Sequence, residues 1–210
     1  MSDNRIRALA LSGALVGWSF TAGLDQPWRR HPVIQAGIGT ALAVAARAPL
    51  GLRPPPVYRG LRFGAGVAVA VTAGISAATL LTGVRAGMRD RGLPQRPWRW
   101  LAVEIPLGTV WSEEMAFRGA LSTIAADAFG PGRGRLLQSV AFGLSHVPDA
   151  RGTGETVLGT VALTGLAGWC LGLLAERSGS LAAPMLAHLA INEAGALGAL
   201  LVQRFGGDTR

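Results

Sequence analysis

The sequence predicts an all-α protein: a polytopic bundle of about six to eight membrane-spanning helices, formed by residues 1–210 as a single integral membrane domain. Three observations carry that prediction. Apolar residues make up 50% of the chain and mean hydropathy is +0.35. Charged residues are only 15%, against roughly 25% in soluble domains. Apolar runs near the ~20 residues that a helix needs to cross a bilayer recur along the chain, punctuated by proline, glycine and arginine. This composition excludes a disordered tail protein, which would combine low hydrophobicity with many charges. The glycines follow no fixed period, which excludes a collagen-like chain. A single cysteine, Cys170, excludes a disulfide framework and a cysteine zinc cluster, and it reads as a small buried apolar residue.

The first apolar run, residues 6–24, follows Arg5 and Arg7. Thr21-Ala22-Gly23 also suits a signal-peptide cleavage site, but several further apolar runs favour an uncleaved first helix. The second run, residues 33–50, is interrupted only by Arg47, whose long stem can carry its charge to the interface. Pro54-Pro55-Pro56 then forms a stiff loop that cannot continue a helix. The third run, residues 61–84, has no charge between Arg62 and Arg85 and is the clearest span. An arginine-rich loop with Pro94 and Pro97 leads into a helix over residues 98–129. That helix carries Glu104, Glu113, Glu114, Arg118 and Asp127, so it cannot be a passive lipid-facing helix. Gly130-Pro131-Gly132 stops it. Apolar segments follow at 136–147, 156–175 and 181–202, separated by Pro148-Asp149 and by Ser178-Gly179. Alternating these segments across a membrane divides the arginines almost evenly, so their distribution selects no orientation.

All 20 basic residues are arginine and the formal net charge is +8. The arginines cluster in short segments between apolar runs rather than along one helix with interleaved aromatics. That pattern belongs to a protein whose partner is the lipid bilayer and excludes nucleic acid as a partner.

Ionisable groups inside apolar helices are costly, by ~2.5 kcal/mol upward each, and so mark a site or a pair. Here they concentrate in Trp111-Ser112-Glu113-Glu114-Met115-Ala116-Phe117-Arg118, in Ala141-Phe142-Gly143-Leu144-Ser145-His146, and from Pro184 to Glu193 through His188 and Asn192. On an α-helix Glu114 and Arg118 share a face and can pair, while Glu113 lies about 100° round. Phe142 and His146 share a face, as do His188 and Asn192. Three helices can thus point Glu113, His146, His188 and Asn192 into one cavity. That set suits peptide hydrolysis, with a carboxylate to take a proton from water, an imidazole to position the water or relay the proton, and His and Asn donors for an oxyanion. Glu113, His146 and His188 are equally a carboxylate and two imidazoles able to ligate zinc, with a fourth position left for water. Each segment alone also has a structural reading: a Glu–Arg pair holding helices together, a histidine satisfying a carbonyl, an asparagine as interhelical glue. Three such segments in order, each on an apolar helix, argue for a site.

The motifs Glu-Glu-x-x-x-Arg at Glu113 to Arg118, Phe-x-x-x-His at Phe142 to His146 and His-x-x-x-Asn at His188 to Asn192 closely resemble the CPBP family of intramembrane proteases. That family includes type II CAAX prenyl endopeptidases and bacterial bacteriocin-processing or self-immunity (Abi) proteins. Gly179-Ser180-Leu181 followed by Pro184 also looks like the context of the third motif. The resemblance covers residues 110–195, and the amino-terminal half carries no motif. It implies a helix bundle enclosing a water-accessible cavity, in a bacterial cytoplasmic membrane, acting on a peptide or membrane protein. It further implies that Glu113 and His146 activate the attacking water, that His188 and Asn192 stabilise the oxyanion, and that Glu114 and Arg118 orient the site. Members are described both as metalloproteases and as metal-free glutamate-dependent hydrolases, so zinc and a metal-free route both stay open.

Two other readings compete. A non-catalytic membrane scaffold or bacteriocin self-immunity protein could use the same cavity to bind a partner. An ion-coupled transporter also uses intramembrane Glu and His, but transporters usually show repeated halves and the halves of this chain differ. Glu104, nine residues before Glu113, could line the same cavity on an α-helical period. His31, in Arg29-Arg30-His31-Pro32, reads as an interface residue.

Overall fold

The computed structural model describes residues 2–21 and 27–205, and among them all regular structure is helical. Helix α1 spans Ser2–Phe20, and a short 3-10 turn, Pro27–Arg30, precedes α2 at Pro32–Ala45. Helix α3 is Pro56–Ala78 and α4 is Thr82–Asp90. Helix α5 is one continuous helix that opens at Pro97–Arg99, runs through Trp100–Trp111 and Glu114–Leu121, and closes with Ser122–Phe129. Helices α6 (Pro131–Ser145) and α7 (Val147–Thr153) follow, then α8 (Val157–Ser178) and α9 (Ala182–Phe205). Prolines open several of these helices, where their missing N–H has no helical partner to lose.

Several boundaries differ from the sequence expectation. Helix α2 ends at Ala45, and Arg47 takes a left-handed conformation (φ 52°). The chain then runs extended to Leu50, whose carbonyl accepts the backbone N–H of Leu181 at 2.9 Å. A contact 131 residues away in sequence thus replaces the last turn that apolar content alone predicts. The predicted third span stops at Ala78, and part of the expected arginine loop is the separate helix α4. Its Met88 packs against Gly198 of α9, and Gln203 Nε2 donates to the carbonyls of Met88 and Arg91. Pro148 opens the additional short helix α7 rather than a plain separator. Cys170 is exposed rather than buried. The end of the first predicted run and most of its Thr21-Ala22-Gly23 cleavage sequence lie outside the described residues.

Among the described residues, three helices are long and apolar enough to cross a membrane: α3, α8 and α9. Helix α2 is apolar but shorter. Large apolar side chains face outward on α3 and α8, Leu158 at 82% and Val69 at 71% exposure among them. Contiguous apolar exposure of that kind is the signature of a surface that meets something other than water, and it lies on helices long and apolar enough to cross a membrane.

Lipid is as apolar as leucine, so helices in a bilayer associate by close packing rather than by hydrophobic burial, and small residues permit that approach. Gly64 of α3 lies against the start of α9, where a Cβ would come within 2.8 Å of the Ala183 carbonyl. Gly168 of α8 leaves room for a ring: its Cβ would stand 3.0 Å from Phe142 Cδ1. The buried core runs from Ala8 of α1 through Phe117 and Leu121 of α5 to Phe142 of α6. Phe142 therefore reaches the centre of the molecule, next to the motif residues.

Candidate active site

The motif helix α5 is unusual in winding. Pro106 sits inside it, where a proline removes one helical hydrogen bond and its ring clashes with the preceding turn. Over Trp100–Trp111 the backbone adopts the wider π form, and Ser112 N–H reaches back five residues to Leu107 O. Glu114–Leu121 is wound the same way, with Ser122 N–H bonded to Phe117 O, and every residue of this stretch is buried. Wide turns of this kind are rare and gather at functional sites. Between the two stretches, helix α2 locks onto α5: Trp111 Nε1 donates to Thr40 Oγ1 at 2.9 Å, and a Cβ on Gly39 would meet Ser112 O at 2.6 Å.

Glu114 and Arg118 form a pair with both side chains 0% exposed, Nη1 to Oε1 at 3.1 Å. The same Glu114 Oε1 lies 2.8 Å from His188 Nδ1, joining α9 to α5. The face of the Arg118 guanidinium is covered by the Phe142 ring, 4.0 Å from its centroid. Phe142 also meets Phe117 edge-on at 5.1 Å and His146 at 4.7 Å. Two opposite charges so deeply enclosed hold each other in place, because either one alone would be a buried unpaired ion. The expected pairing of Glu114 with Arg118 is present; its extension to His188, 74 residues on, is not readable from spacing.

With Nδ1–H donated to Glu114, the imidazole of His188 is fixed in orientation, and its Nε2 faces Glu113 Oε2 at 3.8 Å. Second partners that set a histidine's tautomer and rotation in this way are a usual device of functional imidazoles. Glu113 keeps 28% of its side chain exposed, unlike its neighbour. His146 caps α6, and its Nδ1 lies 2.8 Å from the Phe142 carbonyl, so Nδ1–H donates there and Nε2 carries the lone pair. The Phe-x-x-x-His spacing thus supplies both a ring and a carbonyl to hold one imidazole. Asn192 Nδ2 donates one hydrogen to His188 O at 3.1 Å, which leaves its second N–H for another acceptor.

A cavity of about 350 Å³ opens between α1, α2, α5 and the α6–α7 junction. Glu113 and His146 both line it, as do Ser112, Arg29, Gln35 and Asp149. His188 and Asn192 do not line it; His188 meets the site through Glu113 from behind. The expectation that all four point into one cavity therefore holds for two of them. Arg29, whose guanidinium lies 4.2 Å over the Trp18 ring, and Asp149 belong to the wall without belonging to a motif. Nothing in their spacing marks them, although Arg29 lies in a short polar segment between two apolar runs. Glu104 is absent from the wall and instead pairs with Arg99 at 3.3 Å near the surface. The π winding between Glu104 and Glu113 changes the face that an α-helical period assigns to it.

Glu113, His146 and His188 do not stand as a converged ligand set in this arrangement. Among the described residues no three His, Cys, Asp or Glu side chains converge closely enough to hold a metal ion. The Nδ1 atoms of both histidines are held by Phe142 O and Glu114, which leaves both Nε2 atoms available, while His188 lies off the cavity wall.

Comparison with curated proteins and with solved structures gives no match. A family model described as type II CAAX prenyl endopeptidase Rce1-like matches residues 95–194, which contain all three motifs and most of the site. That segment is similar to the Rce1-like type II CAAX prenyl endopeptidases, in agreement with the CPBP membrane proteases that the motifs resemble.

Proposed function

We propose that this chain is a multi-pass intramembrane endopeptidase, a single membrane domain of residues 1–210 in a bacterial cytoplasmic membrane, in which Glu113 and His146 activate the attacking water. The observation that carries this reading is the split between two adjacent carboxylates. Glu114 is sealed against Arg118 and His188, while Glu113 shares a cavity wall with His146. A water between the Glu113 carboxylate and the His146 Nε2 lone pair gives its proton to Glu113 as its oxygen attacks the peptide carbonyl carbon. The carbonyl oxygen becomes an oxyanion, for which the resemblance implies a donor in His188, reached past Glu113 because His188 does not line the cavity. The second N–H of Asn192 is the other donor. Collapse of the intermediate breaks the C–N bond, and Glu113 returns the proton to the leaving amine. A positioned general base contributes about 10²–10⁴ in rate, and each oxyanion donor about 10²–10³. Arg118 and Glu114 position His188 and do not touch substrate. Phe142 holds both histidine-bearing helices. The substrate class is a peptide within a membrane protein or at its end, with a prenylated CAAX tail the form that the family description suggests.

The test compares peptides released from membranes carrying wild type, Glu113→Ala or His146→Ala. Loss of specific fragments in both variants, with each still folded and inserted, supports the mechanism. Full cleavage by a folded Glu113→Ala variant overturns it. Unaltered biological function in the His146→Ala/His188→Ala double variant would instead establish the scaffold or self-immunity reading.

A further inference from the structure

A second cavity of about 350 Å³ shares no wall residue with the first. It is a groove on the outer surface, lined on α3 by Phe63, Val67 and Val71, each one turn further along, and on α8 by Cys170, Leu174 and their neighbours. Helix α9 closes its back with Ala187 and Ile191. Its lining is apolar except at one end, where Arg177 in the last turn of α8 reaches it. Arg59 lies one turn before Phe63 on the same face of α3, and its Nε donates to Ser178 O at 2.6 Å, beside Arg177. That bond leaves both terminal nitrogens of Arg59 for another partner. The acid next to Arg177, Glu176, is engaged by Arg135. Arg177 thus lines one end of an otherwise apolar groove, and the Arg59 guanidinium is held next to it at Ser178.

We propose that this groove binds an anionic phospholipid of the bilayer, its phosphate held by Arg59 and Arg177 and one acyl chain lying along α3 and α8. The dimensions fit. From Ala167 to Arg177 an α-helix rises about 15 Å, half of the ~30 Å hydrocarbon core, which is the depth of one leaflet. The charge pattern fits as well: guanidinium pairs grip phosphate oxygens with charge-assisted, bidentate hydrogen bonds, and a headgroup without its own cation has the full benefit. The three helices that form the groove are the three long enough to cross a membrane, so a lipid has lateral access to it. The occupant also bears on function, because Ala187 and Ile191 directly precede His188 and Asn192. A chain packed on that side of α9 braces the segment that carries both side chains.

Native mass spectrometry of the full-length protein, purified in detergent doped with equal phosphatidylglycerol and phosphatidylcholine, tests this site. Both lipids offer the same phosphodiester, but the choline ammonium is like-charged with the two guanidinium groups, which predicts one retained phosphatidylglycerol favoured about tenfold over phosphatidylcholine. Arg177→Gln, at an exposed position, abolishes the preference while circular dichroism stays unchanged. Cys170→Trp fills the groove and removes the bound lipid altogether. Equal retention of the two lipids by wild type, or an undiminished preference in folded Arg177→Gln, overturns the proposal. Neither result depends on whether the chain cleaves peptides.

Discussion

The two sides of α5 place neighbouring carboxylates in opposite surroundings. Glu114 faces the packed interior, where it is wholly enclosed and bonded to Arg118 and His188. Glu113 faces the cavity between α1, α2 and α6, partly exposed and lining the same space as His146. Identical side chains one residue apart are thereby divided between an enclosed ion pair and an open cavity wall. What separates them is the surface each meets: α9 and the Phe142 ring on one side, an open space bounded by amino-terminal helices on the other. A buried ion pair rarely adds net stability over apolar packing, yet it is costly to break. Such a pair is suited to fixing the position of His188 and poorly suited to exchanging protons with substrate.

Breaking the comparison on the cavity side gives the largest expected effect. Glu113→Gln should lower peptide cleavage by about 10²–10⁴ with the unfolding midpoint in detergent unchanged. A fall in stability without loss of turnover would reverse the roles assigned to the two glutamates. On the packed side, Glu114→Ala should cost about 3–5 kcal/mol by leaving Arg118 and His188 enclosed without their anion. The double variant Glu114→Ala/Arg118→Met should recover part of that loss in the same denaturation experiment. Additive losses would show that the pair is not a unit. Trp111→Phe removes one hydrogen bond that fastens α2 to α5 and should cost about 0.5–1.5 kcal/mol, measured as a small shift in the same midpoint. Glu104→Gln should be the mildest change. It breaks an exposed pair with Arg99, for which about 0–1 kcal/mol is the usual range, and leaves cleavage kinetics as in wild type. A large kinetic effect there would return Glu104 to the cavity.

Much of the bundle is legible in the sequence because one solvent imposes one rule. A helix that crosses hydrocarbon must satisfy its backbone internally and present apolar side chains over ~20 residues. Residues 56–78, 157–178 and 182–205 obey it visibly. The elements that depart from this rule are those whose limits are set by partners. Apolar content extends α2 to Leu50, but the Leu50 carbonyl binds Leu181 instead of continuing the helix. The segment of α4 looks like an arginine loop until the end of α9 offers Met88 a surface. Cys170 looks like core because its neighbours are apolar, but in a membrane protein apolar also describes the outside.

The same division runs through the site. Helical spacing alone pairs Glu114 with Arg118 and places Phe142 one turn from His146, because i, i+4 geometry is local. The three motifs carry the resemblance to the family whose model matches residues 95–194. Spacing does not reveal that Glu114 also binds His188, that His188 and Asn192 stand behind the cavity wall, or that Arg29 and Asp149 form part of that wall. It misplaces Glu104 because Pro106 and the π winding change the helical period between Glu104 and Glu113. The sequence by itself determined which residues are too polar for their surroundings, since the cost of charge in an apolar helix depends on local composition. Only the tertiary structure decided which of them are sealed and which open, because that depends on what packs against each face of α5. Here His188 of α9 and Arg118 enclose Glu114, and the amino-terminal helices leave Glu113 facing a space.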